Sequence, residues 1–346
     1  MLIQEYVENV IKQFKSGITS GQSYQENIKS LIEHYAPDVS ITNGLAKKVY
    51  GTPNFIIKKR NKPIGYVAIL HIDKPLDNQE RIEELDLCKK SLANLMITNY
   101  LEFRLYNEGV LISSASIAEI QYGKIIPRSG DFQNAEALIM EFCDYEKNTI
   151  RSLSVLSTMM AKIARLFTCI IEDVMILDER EKKHQKEKVL KKSLTEQLEA
   201  FDCVLQHNIS TGEFANIYSQ TITFGMLAAR LYGGPAQQEF SRQHAAELLP
   251  SSYALMKDLF QYLAGQNLDN RISWIIDELA EILKTTDFVG LLDDFKKPVS
   301  ENLSVKHFYE IFLKEYNPEL LEKLTKSHKP EPIVAFLTEA VQRCIS

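Results

Sequence analysis

The sequence predicts an α+β protein in two parts, an α/β layer domain over residues 1–126 and an all-α domain over residues 127–322. Short apolar runs bounded by turn residues, which are typical of β-strands, occur in the first part. Beyond residue 126 this pattern disappears, and apolar residues recur at the 3.6-residue spacing of helices. At 346 residues the chain is long enough for two domains, each with its own core.

Composition and charge are those of a soluble globular protein, with 45% hydrophobic and 25% charged residues. The net charge of −6 argues against bulk attraction to nucleic acid, so DNA contact would require a local basic patch. Five cysteines without a C-x-x-C pair favour a reducing cytoplasm over a disulfide framework. The histidines show no metal-site spacing, and the amphipathic N-terminus is not a signal peptide. We therefore expect a cytoplasmic protein.

The first part begins with two predicted helices and a β-hairpin. Apolar residues share one helical face over residues 6–14 and another over residues 28–35, with Pro37 ending the second helix. In the hairpin, residues 55–57 are a short apolar strand and residues 64–72 a longer one, and the polar residues between them form the turn.

The remaining elements of the first part alternate between helix and strand. A helix is predicted at about residues 78–92, and strands at residues 95–98 and 101–106. A turn at residues 107–109 leads to a third strand that starts at Val110. Helices packed on a short mixed sheet make an α/β layer fold.

The second part contains a long apolar stripe and a basic tract. The stripe, residues 150–177, is predicted to be the core of a helical bundle, and charged side chains within it argue against a membrane span. Residues 180–192 hold seven basic residues and two glutamates. Two interpretations stay open for this tract, a cationic face along a phosphate backbone or a solvated helix. The DNA-binding candidates are Arg180, Lys182, Lys183, Lys186, Lys188, Lys191 and Lys192.

Two motifs of the hairpin carry a family resemblance, GTPNF at residues 51–55 and GYVAIL at residues 65–70. They resemble the nuclease module of single-chain type IIG-like restriction-modification enzymes, which fuse a PD-(D/E)xK nuclease, a helical connector and an adenine-specific DNA methyltransferase. The family pattern is G-x-P-D-F, a turn, and G-Y-I-E-A-K. The resemblance implies a restriction-endonuclease-like core for the first part.

In that family the carboxylates hold Mg²⁺, which prefers hard oxygen ligands, and the lysine supports the attacking water. A further Glu normally follows the position of Asn43. The four corresponding residues here are Gly44, Asn54, Ala68 and Leu70. None of them can do this chemistry, so the resemblance implies a pseudo-nuclease without metal.

Three helical segments, residues 217–231, 268–280 and 305–313, resemble the family's connector. Within them Gln220 and Arg230 are predicted to be structural hydrogen-bonding residues, with DNA contact as the alternative. Asp269 is predicted to cap a helix, with Arg271 and Asp277 as pairing partners, and His307 is predicted to be a packed structural histidine.

Residues 323–346 are predicted to be a remnant of the start of the methyltransferase domain. The family's G-x-Y-Y-T-P stretch is replaced by KSHKP at residues 326–330. A glycine-rich nucleotide loop and an N-P-P-Y motif are both missing from the sequence. We therefore expect that this chain alone neither binds S-adenosylmethionine nor methylates DNA.

Three hypotheses follow for the function. The favoured one is a non-catalytic component or fragment of a restriction-modification system, a scaffold or DNA-positioning module for an adenine-specific methyltransferase. Either the methyltransferase is then on a separate chain, or this chain is the front of a longer polypeptide. The second is an Mg²⁺-dependent endonuclease with migrated catalytic residues. Its candidate ligands are Asp73, Asp77, Glu80 and Glu83, with Lys89 or Lys90 as the cation. The third is a protein-interaction module, or a decayed gene product, with no DNA role.

Overall fold

The structure is a computed structural model, and its fold consists of two compact units, Met1–Lys147 and Asn148–Ser346. It describes residues 2–17, 21–44, 52–77, 79–184, 194–205, 209–234, 239–250, 257, 259–262, 265, 268–296, 302–327 and 332–345. The first unit combines helices with a mixed sheet, and the described part of the second is helical. The predicted α+β class is therefore confirmed.

The first unit is built on a six-stranded sheet with the strands in chain order. The strands are β1 (Val39–Asn43), β2 (Phe55–Lys59), β3 (Lys62–Ile69), β4 (Leu95–Thr98), β5 (Glu102–Asn107) and β6 (Val110–Ser116). Neighbouring strands are antiparallel except β3 and β4, which are parallel. A parallel pair needs a crossover, and helix α3 (Gln79–Ser91) lies in this connection.

Three more helices and a small hairpin complete the first unit. They are α1 (Ile3–Lys15), α2 (Gly21–Tyr35), β7 (Ala118–Gln121), β8 (Lys124–Pro127) and α4 (Phe132–Cys143). Helices α1, α2 and α4 share a buried core with the sheet, because each presents an apolar stripe to it. At its centre are Tyr6, Phe55, Phe103 and Phe142, all fully buried.

The first unit ends at Lys147 and not at the predicted residue 126, because it includes helix α4. The side-chain amide of Asn94 donates hydrogen bonds to the carbonyl of Ile64 (2.8 Å) and to that of Phe142 (2.9 Å). The same helix lies so close to β3 that a Cβ on Gly65 would be 2.5 Å from the Phe142 ring. A helix with these contacts to the sheet belongs to the sheet's own domain.

The described part of the second unit consists of helices, and the first of them in the chain is the longest. They are α5 (Leu153–His184), α6 (Leu194–Leu205), α7 (Thr211–Tyr232), α8 (Arg242–Leu248), α9 (Asn270–Lys284), α10 (Phe288–Lys296), α11 (Asn302–Tyr316), α12 (Pro318–Ser327) and α13 (Pro332–Ile345). Helix α5 packs against α7, α9 and α11. Helix α7 starts with a capping box in which Ser210 and Glu213 satisfy each other's backbone N–H groups.

Within the described residues one segment, Leu153–Arg180, is long and apolar enough to cross a membrane. The charged side chains Lys162, Arg165, Glu172 and Asp173 therefore do not exclude a span by themselves. Instead, 61% of its most apolar window is buried inside the protein. Met160 and Met175 are among the buried residues, which agrees with the predicted bundle core.

A buried cluster of hydroxyl groups joins three of these helices. Thr168 Oγ1 on α5 lies 2.6 Å from Ser219 Oγ on α7. The Tyr316 hydroxyl on α11 lies within 3.1 Å of both and donates to Asn216 Oδ1. Buried polar groups need such partners, so this cluster specifies how the three helices pack.

Candidate functional site

The structure places the four residues that the resemblance compares with nuclease residues near one end of β1, β2 and β3. Gly44 directly follows β1 and Asn54 directly precedes β2, while Ala68 lies in β3 and Leu70 just beyond it. The backbone N–H of Gly44 donates to the Asn54 carbonyl at 2.7 Å. The Asn54 N–H in turn donates to the carbonyl of Val67, also at 2.7 Å. These bonds extend the backbone pairing of the sheet to Gly44 and Asn54, one residue beyond β1 and β2.

Gly44 has no room for a side chain. A Cβ built on this residue would be 2.0 Å from the carbonyl oxygen of Pro53 and 3.0 Å from its carbonyl carbon. Because both obstacles are backbone atoms, a glutamate could enter only if the chain itself moved. The local backbone therefore favours glycine at this position.

The side chain of Asn54 accepts a structural hydrogen bond. Its Oδ1 accepts from the backbone N–H of Ile69 at 2.6 Å, so it acts as one more link between the ends of β2 and β3. Ala68 is 2% exposed and Leu70 is 7% exposed, and both contribute apolar surface to the interior. This arrangement supplies packing and hydrogen bonds, and none of these three side chains is a carboxylate of the kind that holds Mg²⁺.

The alternative ligands Asp73 and Asp77 each have a basic partner. His71 Nδ1 lies 2.6 Å from Asp73 Oδ1. Arg104 donates from Nη1 to Asp77 Oδ1 at 2.7 Å and from Nε to Glu102 at 2.6 Å. These hydrogen bonds lower the pKa of Asp73 and that of Asp77. Both carboxylates are exposed at their surface positions.

The predicted cations lie in different environments. Lys89 is buried, with its Nζ 5.1 Å from the centre of the Tyr106 ring, and burial lowers its pKa. Lys90 is exposed and pairs with Asp86 at 2.5 Å. The side chains of Glu80 and Glu83 lie outside the described residues. Within the described part of the chain, no group of three or more His, Cys, Asp or Glu side chains is placed to hold a metal.

Asn99 organises the turn between β4 and β5. Its Nδ2 donates to the Lys74 carbonyl at 2.8 Å, and its Oδ1 accepts from the N–H groups of Leu101 (3.2 Å) and Glu102 (2.9 Å). All of these bonds are internal to the protein. Asn99 therefore has a structural role in this fold.

Most of the basic tract lies outside the described residues. Arg180 is exposed on α5. Helix α5 continues through Lys182 and Lys183 to His184, although the side chains of these residues are not described. Lys186, Lys188, Lys191 and Lys192 lie outside the described part altogether. The proposed contact of this tract with DNA stays a prediction.

Polar residues of the helical unit have mainly structural partners. Gln220 is buried and hydrogen-bonds with Tyr316. Arg230, also buried, donates to the Gly234 carbonyl at 2.7 Å and lies over the Phe288 ring. The predicted structural role of both residues agrees with these contacts.

Two details of the helical unit differ from the predictions. Asp269 caps α9 as predicted. Arg271 pairs with Asp178 (2.5 Å) and with Asp269 (2.6 Å). Asp277 instead pairs with Arg242 at 3.0 Å. His307 is not packed: its side chain is 69% exposed and lies 3.9 Å from a Glu310 oxygen. The reason is that Phe308 and Phe312 occupy the buried face of α11.

Comparison with known proteins adds a likeness between structures. No family model matches the sequence, and no curated protein matches it significantly. A cryo-EM structure of a DrdV–DNA complex contains a chain that is similar over 94% of the present chain, with 14% sequence identity and a TM-score of 0.30. The present chain spans 30% of the length of that chain.

Proposed function

We propose that the protein is a non-catalytic component of a DNA restriction-modification system that acts in phage defence. In this role it is a cytoplasmic scaffold or DNA-positioning module for an adenine-specific methyltransferase on a separate chain. The proposal rests on the family resemblance of the two hairpin motifs and the three connector segments, together with the geometry of the degenerate site.

One observation supports the absence of catalysis in this proposal: Asn54 and Gly44 both have structural roles in the sheet. The Asn54 side chain holds the N–H of Ile69, and the Pro53 backbone fills the space beside Gly44. Metal-dependent hydrolysis needs an open set of oxygen ligands that hold a metal and a water. Neither position offers a carboxylate, and this supports a non-catalytic role.

The direct test is incubation of the purified protein with duplex DNA in Mg²⁺ or Mn²⁺. We expect no cleavage at any protein concentration. Dose-dependent cleavage that is lost in an Asp73→Ala/Asp77→Ala variant would instead support the endonuclease with migrated ligands. A Glu102→Gln variant serves as the control, because it removes a neighbouring carboxylate that was not predicted to be a ligand.

Two binding measurements test the scaffold part. Isothermal titration should show no binding of S-adenosylmethionine to this chain, whereas a micromolar Kd, about −8 kcal/mol, would contradict the proposal. The protein should bind duplex DNA at low salt without sequence preference. Absence of DNA binding would favour the protein-interaction module.

A further inference from the structure

The turn between β2 and β3 is a cluster of positive charge. Lys58 and Lys59 end β2, Lys62 begins β3, and Arg60 lies in the two-residue turn with Asn61. Arg60, Asn61 and Lys62 are exposed. Four cations within five residues depart locally from the net charge of −6 of the whole chain.

This turn is poorly suited to hairpin stability. Arg60 and Asn61 both have positive φ, 51° and 64°. Asparagine tolerates this left-handed region, but an arginine is disfavoured there, and glycine is common in such two-residue turns. Lys59 also pairs directly across the hairpin with Lys62, and Asp38 balances the charge of Lys59. The positive φ of Arg60 in this exposed turn therefore points to a requirement other than folding.

Neighbouring carboxylates neutralise only part of the cluster. Lys59 Nζ lies 3.0 Å from Asp38 Oδ2 and 4.0 Å from Asp144 Oδ1. Among the described residues, no carboxylate oxygen lies within 4.0 Å of the charged groups of Lys58, Arg60 or Lys62. The tip of the hairpin therefore presents positive charge to solvent that Asp38 balances only in part.

We infer, building on the proposed DNA-positioning function, that Lys58, Arg60 and Lys62 bind the phosphate backbone of duplex DNA. Lysine and arginine contacts to phosphates position a protein on DNA without reading its sequence. Strand β1 pairs with β2 as far as Lys59, so only the turn itself protrudes. This shape suits contact with the phosphates better than insertion of a two-stranded ribbon into a groove.

The test compares two charge-matched triple variants by fluorescence anisotropy on a labelled duplex between 50 and 200 mM salt. Lys58→Gln/Arg60→Gln/Lys62→Gln should make the slope of log K against log salt shallower by about 2.7, at ~0.9 per phosphate. Affinity at 50 mM salt should fall roughly tenfold or more. Lys12→Gln/Lys15→Gln/Lys124→Gln removes the same charge from exposed positions elsewhere in the first unit and should change the slope by less than about 1.

A second pair of variants separates binding from folding. Arg60→Gly and Asn61→Gly both relieve a positive φ, so both should raise the thermal unfolding midpoint. Only Arg60→Gly removes a charge, so it alone should weaken DNA binding. A more stable variant that binds less well cannot be explained by damage to the fold.

Each remaining outcome has a distinct meaning. An unchanged slope in the hairpin variant, or an equal change in the control, overturns the assignment to the hairpin and leaves the DNA-positioning function intact. Absence of binding by the unmodified protein at 50 mM salt overturns both. Binding to phosphatidylserine vesicles without binding to the duplex would make an anionic membrane the partner and would overturn the inference.

Discussion

The side-chain oxygen of Asn54 and the backbone N–H of Ile69 form a 2.6 Å hydrogen bond that links the start of β2 to the end of β3. The same asparagine uses its backbone N–H and C=O groups to bond with Val67 and Gly44. Asn54 therefore joins three strand ends, at the position where the family resemblance implies a metal-binding aspartate.

Replacing Asn54 should reveal this structural role. Asn54→Ala leaves the partly buried N–H of Ile69 without its acceptor, and should destabilise the first unit by about 1–2 kcal/mol in urea unfolding. Asn54→Asp keeps an acceptor of the same size, so at pH 7 it should retain most of the stability and still fail to cleave DNA. Equal stability of the alanine variant and the unmodified protein would contradict the role.

The lack of space at Gly44 predicts a large effect for the smallest possible substitution. Gly44→Ala forces a Cβ against the Pro53 carbonyl group and should lower the free energy of unfolding by about 1–3 kcal/mol. Gly130→Ala is the matched control, because no heavy atom lies within 4 Å of its added Cβ. The control should be as stable as the unmodified protein or slightly more stable. Similar unfolding midpoints for the two variants would argue against the close approach of β1 to Pro53.

Burial raises the pKa of Cys143 to about 12, and this predicts two pH effects. At pH 9 only about 0.1% of this thiol is ionised in the folded protein, so alkylation should be slow until the protein unfolds. Cys169 is exposed, and although its pKa is also raised, it should react faster in a mass-spectrometric time course.

The raised pKa of Cys143 also makes the free energy of unfolding depend on pH. An unfolded thiol releases its proton above about pH 8.5 while the folded Cys143 retains it. The thiol therefore favours the unfolded state increasingly as pH rises, by up to about 1.4 kcal/mol per pH unit between the unfolded and folded pKa values. Cys143→Ala should remove this part of the alkaline destabilisation, and an identical pH profile for the variant would contradict the burial of the thiol.

The basic tract of residues 180–192 predicts a salt effect separate from that of the hairpin. If four phosphates are contacted, affinity for duplex DNA should fall by roughly two orders of magnitude between 50 and 200 mM salt. Lys182→Gln/Lys183→Gln/Lys186→Gln/Lys188→Gln should flatten the slope by about 3.6, with the unfolding midpoint unchanged as the control. An unchanged slope would assign the tract to a solvated helix surface.

The pattern of residues along the chain was sufficient to predict the α+β class, the existence of the two hairpin strands and the long helix α5. The first of these strands ends at Lys59 and the second begins at Lys62, closer together than predicted. These elements follow from apolar spacing between residues that are near each other in the sequence, which local backbone geometry translates directly into strand or helix. The cap at Asp269 could be predicted for the same reason, because its partner is the N–H two residues away.

Tertiary structure decided the features that depend on residues far apart in the chain. Helix α4 belongs to the first unit because Asn94 reaches the Phe142 carbonyl, and Arg271 pairs with Asp178 on a helix 93 residues earlier. The sequence shows a glycine at position 44, but only the fold shows that the Pro53 carbonyl group occupies the space of its side chain. Local periodicity contains no information on such contacts, since they form when separate elements pack and compete for the same space.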